Sequence, residues 1–363
     1  MPRLALAALL PALALAVTAA GCGVAGSASI EAPVAVYVSL PLSGPRSADG
    51  RDASEGARLA LEQARGRAGS IEVRARFLDD AKGRAWDPVA VGANARRAVQ
   101  DSSAAAYIGE LDSQPTRGSM PITNDAGLVQ VSPGAGGIDL TAPATGYPDS
   151  PDRYRPSGSP NFARTVPADE IVDAAAASWA SELGVTAAAV TSDGSPFQDL
   201  SAGKFKSAAA EHGIQLMQGK PPSAVAVGGS GKQAVYEPGS QTLSVYGTAP
   251  ESLALSAELD PSRLPDSGFS AQFQRRFQRA PGPYAAYGYE AMGLILQAIR
   301  GAGTDASSFR DNVRNRVFGA HRDGTPLGSY AITSDGDTTE CMIQRYRLQR
   351  STRQALGAPC PPG

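Results

Sequence analysis

Histidine, cysteine, aromatic residues and net charge are all scarce in this chain of 363 residues. There are two histidines, His212 and His321, far apart and with no cysteine or carboxylate cluster near either. A histidine-based metal site and a Ser-His-Asp triad therefore have nothing to be built from. The G-x-S-x-G elbow of α/β hydrolases is missing as well. No catalytic residue, metal or cofactor is expected. A formal net charge of -2 supplies no basic stripe, so nucleic acid is not an expected partner. The apolar run LALAALLPALALAV (4–17) is too short to span a bilayer and is broken by Pro11.

Apolar residues make up 42% and charged residues 19%, a globular balance, while 40 glycines and 28 prolines mark a loop-rich fold. The length suits two domains rather than one core. Arg3 followed by the short apolar run reads as a secretory signal (1–21). Ala19-Ala20-Gly21-Cys22 is similar to a bacterial lipobox, with Ala19 where leucine is usual. The mature chain is thus expected to begin at lipidated Cys22, outside the cytoplasm and anchored to the cell membrane, with 22–33 as a low-complexity tether. The alternative is a plain Ala-x-Ala signal with an incidental cysteine. Cys341 and Cys360 remain, and outside the membrane they are free to form a disulfide or to stay as two thiols.

Beyond the tether, β-rich runs alternate with helical periodicity. VAVYVSL (34–40), IEVRARF (71–77), AAAYIG (104–109) and LVQVS (128–132) read as strands. Asp52 and Glu55 have capping-box spacing ahead of a helical stripe, and 87–101 reads as a second helix. Residues 137–160, rich in Pro, Gly, Ser and Asp, break the pattern, which then restarts through ADEIVDAAAASWASEL and VTAAAVTS. Two α/β units with doubly wound parallel sheets are implied. VYE-PGS-QTLSVY (235–246) reads as a β-hairpin about a Pro-Gly turn.

In such sheets ligands sit beyond the carboxyl ends of the strands. The stretch YIGELDSQPTRGSMPITNDAGLVQVSPGAGG (107–137) supplies two strand ends in succession, LDSQ and SPGAGG. Ser113 offers a hydroxyl, and Gly134 and Gly136 allow close backbone approach, a wall suited to a carboxylate or similar small polar group. GGSGKQ (228–233) lacks the glycine spacing and the Ser/Thr of a phosphate loop. Asp79-Asp80 reads as a strand-end pair capping the next turn, Tyr284, Tyr287 and Tyr289 as interlobe packing, and Glu290 as a helix-surface or hinge carboxylate.

PLSGPRSADGRDASEGARLALEQA, DDAKGRAWDPVAVGANARRAV, the 107–137 stretch, FARTVPADE, VTAAAVTSDGSPFQDLSAGKFKSAAAEHGI and YAAYGYEAMGLILQAI follow one another as in type I periplasmic binding proteins. The chain resembles the branched-chain amino acid branch of that family (the leucine/isoleucine/valine-binding proteins) over most of 34–340. The resemblance implies two Rossmann-like lobes joined by a three-strand hinge: 34–163 plus 284–326 as lobe 1, 164–283 plus 327–350 as lobe 2, and 351–363 as a tail. It also implies capture of an amino-acid-like or carboxylate ligand by hinge closure, with an ABC permease as partner.

On this resemblance the ligand residues are Ser43, Ser113, Ser132, Gly134, Gly136, Asp193, Phe197 and Ser230. Gly136 stands where the family has threonine, Asp49 where a tyrosine is common, and Ser230 where an aromatic is common. The second lobe is shortened, and Glu251 is the nearest stand-in for the acidic residue that holds a ligand ammonium. A sensor or partner-binding lipoprotein of the same fold, and an extracytoplasmic hydrolase, are the alternative functions.

Overall fold

The computed structural model describes residues 29–217, 231–350 and 352–361. Lobe 1 is built on a six-stranded sheet in the order β2-β3-β1-β4-β5-β6. Its strands are β1 (Val34–Leu40), β2 (Arg67–Ala68), β3 (Ile71–Asp79), β4 (Ala104–Ile108), β5 (Val129–Ser132) and β6 (Phe162–Arg164). All neighbours are parallel except the short β2, which pairs antiparallel with β3. The chain moves from β1 to β3 on one side and from β4 onward on the other. A crevice therefore opens at the carboxyl ends of β1 and β4. β1 and β4 are buried along their whole length, as strands covered on both faces must be.

Three helices connect these strands: α1 (Ser47–Gln63), α2 (Pro88–Gln100) and α3 (Ser113–Asp125). Asp87 caps α2 by accepting from Val89 N at 3.0 Å and Ala90 N at 2.9 Å. The expected capping box of α1 is not one. The helix starts at Ser47, so Asp52 and Glu55 lie inside it, where Arg279 binds them at 2.6 and 2.5 Å.

The second sheet follows α4 (Asp169–Glu182), in the order β15-β14-β11-β10-β9-β7-β8. Here β7 (Val185–Val190) is parallel to β8 (Gln215–Leu216) and β9 (Lys232–Glu237), with α5 (Pro196–Glu211) as the crossover. The rest is antiparallel: β10 (Thr242–Tyr246), β11 (Glu251–Ser256), β14 (Gln344–Gln349) and β15 (Thr352–Ala355). The expected hairpin forms, with Glu237 pairing with Thr242 around Pro238-Gly239. Only the β8-β7-β9 part of this sheet keeps the parallel, doubly wound pattern.

The chain passes between the sheets after β6, after β11 and before β14. Between the last two passages lie α6 (Ser267–Phe277), α7 (Ala285–Gly301), α8 (Phe309–Val317) and the hairpin β12 (His321–Thr325)–β13 (Gly328–Ala331). Helix α7 packs closely on α1; a Cβ on Gly56 would lie 1.9 Å from Ala285 O. α6 and β13, both inside the stretches expected for lobe 2, lie against α1 and α7. Glu290 is fully buried rather than on a helix surface, accepting from Tyr330 Oη at 2.8 Å and Arg322 Nε at 3.0 Å. Tyr287 binds the second passage, donating to Ala257 O at 2.9 Å and accepting from Leu259 N at 3.1 Å. Cys341 and Cys360 form a disulfide that holds the end of the chain to the third passage.

Candidate functional site

The carboxyl ends of β1, β3, β4 and β5 form one wall of the cleft between the lobes, and the starts of α4 and α5 form the facing wall. Ser113 opens α3, and its Oγ accepts from Gly137 N at 2.8 Å. That bond ties the two turns of the 107–137 stretch together and leaves the Ser113 O–H to donate. Arg164, fully buried, clamps the second turn by donating to Ala135 O at 3.1 Å and Gly137 O at 2.9 Å. It also donates to Thr141 Oγ1, and to Asp337 at 2.7 Å on the third passage. The signal for this clamp, the arginine of FARTVPADE, was present in the sequence, but its role depends on partners 23 to 173 residues away.

Two expected ligand serines are engaged within lobe 1. Ser132 donates to Glu110 O at 2.6 Å and accepts from Gly134 N and Ala135 N at 3.2 and 2.9 Å. Ser43 donates to Asp79 at 2.7 Å and accepts from Gly83 N at 2.6 Å. Asp79 also caps the turn by accepting from Leu42 N and Ala81 N. Its neighbour Asp80 does not cap; it is buried against Glu110, and burial raises its carboxyl to about 6.

Gly134 and Gly136 are glycines because other groups occupy the space. A Cβ at Gly134 would lie 2.5 Å from Leu111 O and 3.0 Å from Tyr284 Cε1. At Gly136 it would lie 2.4 Å from Asp169 Oδ1 of the other lobe. Any side chain here would require that carboxylate to move. Asp169 N also donates to Gly136 O at 2.8 Å. Burial raises the Asp169 carboxyl to about 6, opposed by Arg164 and reinforced by Glu258.

Phe197, in the first turn of α5, lines a small cavity with Gly137, Arg117, Tyr147 and Asp169. Its volume is about 10 Å³, room for one water. Arg117 is held by Asp139 through bonds of 2.7 and 2.6 Å, and its guanidinium lies 4.6 Å from the Tyr147 ring centre. The 137–160 segment reaches across the cleft: a Cβ at Gly146 would lie 3.0 Å from Cβ of Pro196 on lobe 2. Asp193 is not brought to this wall; it is exposed and accepts from Ser195 N at 2.9 Å within its own turn. Ser230 lies outside the described residues.

Glu251 is engaged elsewhere, in an ion pair with Arg347 at 3.2 Å on the sheet. Seven residues on, past the carboxyl end of β11, Glu258 is a further acidic group near the cleft, close enough to act on Asp169 and Tyr284. Burial raises its pKa, while Ser256 (2.7 Å), Tyr284 and Arg46 stabilise the charge. Arg46 binds Asp49 at 2.6 Å, Asp112 at 2.7 Å and Tyr284 Oη at 3.1 Å, filling the corner beside Asp49. Tyr284 is therefore part of the cleft as well as of the packing between lobes. Among the described residues no cluster of His, Cys, Asp and Glu could hold a metal, and no helix is long and apolar enough to cross a membrane.

This architecture recurs in solved structures. A leucine-binding protein from Thermotoga maritima superposes with a TM-score of 0.66 at 18% identity, over 90% of this chain and 99% of the other. A substrate-binding protein of an ABC transporter from Desulfitobacterium hafniense, in complex with Leu, gives 0.67 at 17% identity, covering 90% and 100%. A solute-binding protein of an ABC transporter from Rhodopseudomonas palustris, in complex with benzoate, gives 0.64 at 15% identity, covering 91% and 97%. The comparison with curated proteins gives no match. Residues 33–235 match the periplasmic binding protein family over more than half of the chain, and the chain belongs to that family.

Proposed function

We propose that this protein is an extracytoplasmic solute-binding lipoprotein of an ABC importer, capturing a small amino-acid-like or carboxylate ligand between its lobes by hinge closure. The observation that carries this reading is the meeting of the Ser113–Gly137 turn with Phe197 and Asp169 across one cleft. Solved relatives of the same fold hold leucine or benzoate. Ligand contacts on both lobes would favour the closed state, the form a permease would recognise. Ser113 and the loop 134–137 are the anion-binding part, Phe197 the apolar part, and the division into lobes follows the three passages. Lipid on Cys22, which lies outside the described residues, would hold the protein at the membrane. The protein carries out no catalysis in this reading.

The test is a melting-shift screen of amino acids, amides and small carboxylates. A ligand at a thousand times its Kd should stabilise the fold by about 4 kcal/mol. Ser113→Ala should weaken a carboxylate ligand roughly ten- to a hundredfold. Unchanged affinity in both Ser113→Ala and Phe197→Ala would displace the site. Cys22→Ser should release the protein from the membrane or leave its precursor unprocessed.

The second reading, a sensor or partner-binding lipoprotein without transport, is favoured by the cavity of about 10 Å³ left in the cleft. A broad screen with no shift would select it.

A further inference from the structure

Lobe 1 carries a second cavity, of about 350 Å³, between α1 and α6. That volume is within the range of small-molecule sites, and none of its lining residues is shared with the small cleft cavity. Its apolar surface comes from Leu42, Phe77 and Phe277.

Its lining holds three arginines, Arg51, Arg58 and Arg276, against one carboxylate, Glu55. Arg276 is neutralised by Glu62 through bonds of 2.6 and 2.8 Å, and Glu55 by Arg279 through bonds of 3.0 and 2.5 Å. Two lining cations, Arg51 and Arg58, make no ion-pair contact among the described residues, although the Arg58 charge still acts on Glu62. The Arg58 guanidinium lies 4.5 Å from the ring centre of Phe77, so its head rests over the apolar surface while the side chain stays exposed. Ser54 lines the same cavity at 6% exposure, and its Oγ has no hydrogen-bond partner. A buried hydroxyl in that condition is destabilising until an acceptor reaches it.

We propose that this cavity is a second ligand site, separate from the cleft, for an anionic head on an apolar body. The head would lie between Arg51, Arg58 and the Ser54 hydroxyl, and the body against Phe77 and Phe277. Two guanidinium groups and one O–H are all donors, which selects an acceptor-only group such as a carboxylate or phosphate.

Isothermal titration of the full chain with phenylacetate, phenyl phosphate and neutral phenylacetamide tests this. At least one anion should bind, at least tenfold more tightly than the amide, and the two anions distinguish a carboxylate site from a phosphate site. Arg51→Gln/Arg58→Gln should lower that affinity at least tenfold and Ser54→Ala several-fold, while Ser113→Ala leaves it unchanged. Both arginines are exposed, so the double variant should melt as the parent does. Equal binding of the amide, no binding of either anion, or binding retained in the arginine variant but lost in Ser113→Ala would overturn the proposal. The last result would place the probe in the cleft, and so separates this site from the function proposed above.

Discussion

Asp169 and Gly136 meet across the cleft: the amide of Asp169 donates to the Gly136 carbonyl at 2.8 Å, and the Asp169 carboxylate fills the place where a Gly136 side chain would stand. Gly136→Ala should therefore cost about 1–3 kcal/mol by overpacking. Combined with Asp169→Ala the cost should be less than the sum, since the colliding atoms are gone. Urea midpoints of the two single variants and the double check this; simple additivity would show that the two residues do not meet.

A pH dependence should come from Asp173, buried in α4. One carboxylate oxygen accepts from Ser201 Oγ and from Tyr236 Oη at 2.7 Å, and the other has no partner. Burial raises its pKa to about 7, from an unfolded value of about 3.9. The folded state thus holds the proton more tightly. The stability it contributes is fully present below about pH 4 and is lost as pH rises through about 7. Asp173→Asn keeps the acceptor, so it should flatten the fall between pH 6 and 8 and stabilise at pH 8 by about 1–3 kcal/mol. Denaturation of parent and variant at pH 6 and pH 8 decides it, since Asp169 (about 6) and Glu340 (about 8) titrate alike in both and cancel in the difference.

The Arg117–Asp139 pair should be costly to break from one side. Asp139 is 1% exposed, and its remaining side-chain partner would be Tyr154 Oη at 2.8 Å. Arg117→Ala should destabilise by about 3–5 kcal/mol. Arg117→Lys should recover part of this, since an ammonium restores the charge without the two-pronged geometry. If both variants unfold at the parent's denaturant midpoint, the pair holds nothing.

The Cys341–Cys360 bridge closes a separation of 19 residues. Cys360→Ser should cost about 3 kcal/mol in the chain-entropy account. It should also loosen the tail where Ile343 N donates to Pro359 O at 3.2 Å. Thiol labelling of denatured, unreduced protein should find neither cysteine; labelling of both would remove the bridge.

Much of the fold is legible from local pattern. The alternation in 71–77, the helix capped by Asp87 and the hairpin about Pro238-Gly239 all formed where periodicity and turn chemistry put them. Asp52 and Glu55 show the limit of that method. Their spacing suits a cap, but the helix extends five residues further toward its start, and Arg279, more than two hundred residues away, uses both carboxylates. The site was less legible for the same reason. Ser132 and Ser43 carry the right hydroxyls, yet the turns around them consume those hydroxyls, which a residue type does not reveal.

By itself the sequence determined the two α/β units, their order, the hairpin about Pro238-Gly239 and the turn that carries Ser113, because each depends on preferences that act within a few residues. Only the tertiary structure decided that Glu251 pairs with Arg347 on the sheet, that Arg164 clamps the Gly134–Gly137 turn, and that Asp169 stands against Gly136. Each of these depends on how elements well separated in the sequence face one another, and on which charged group gains more from a partner there than from water.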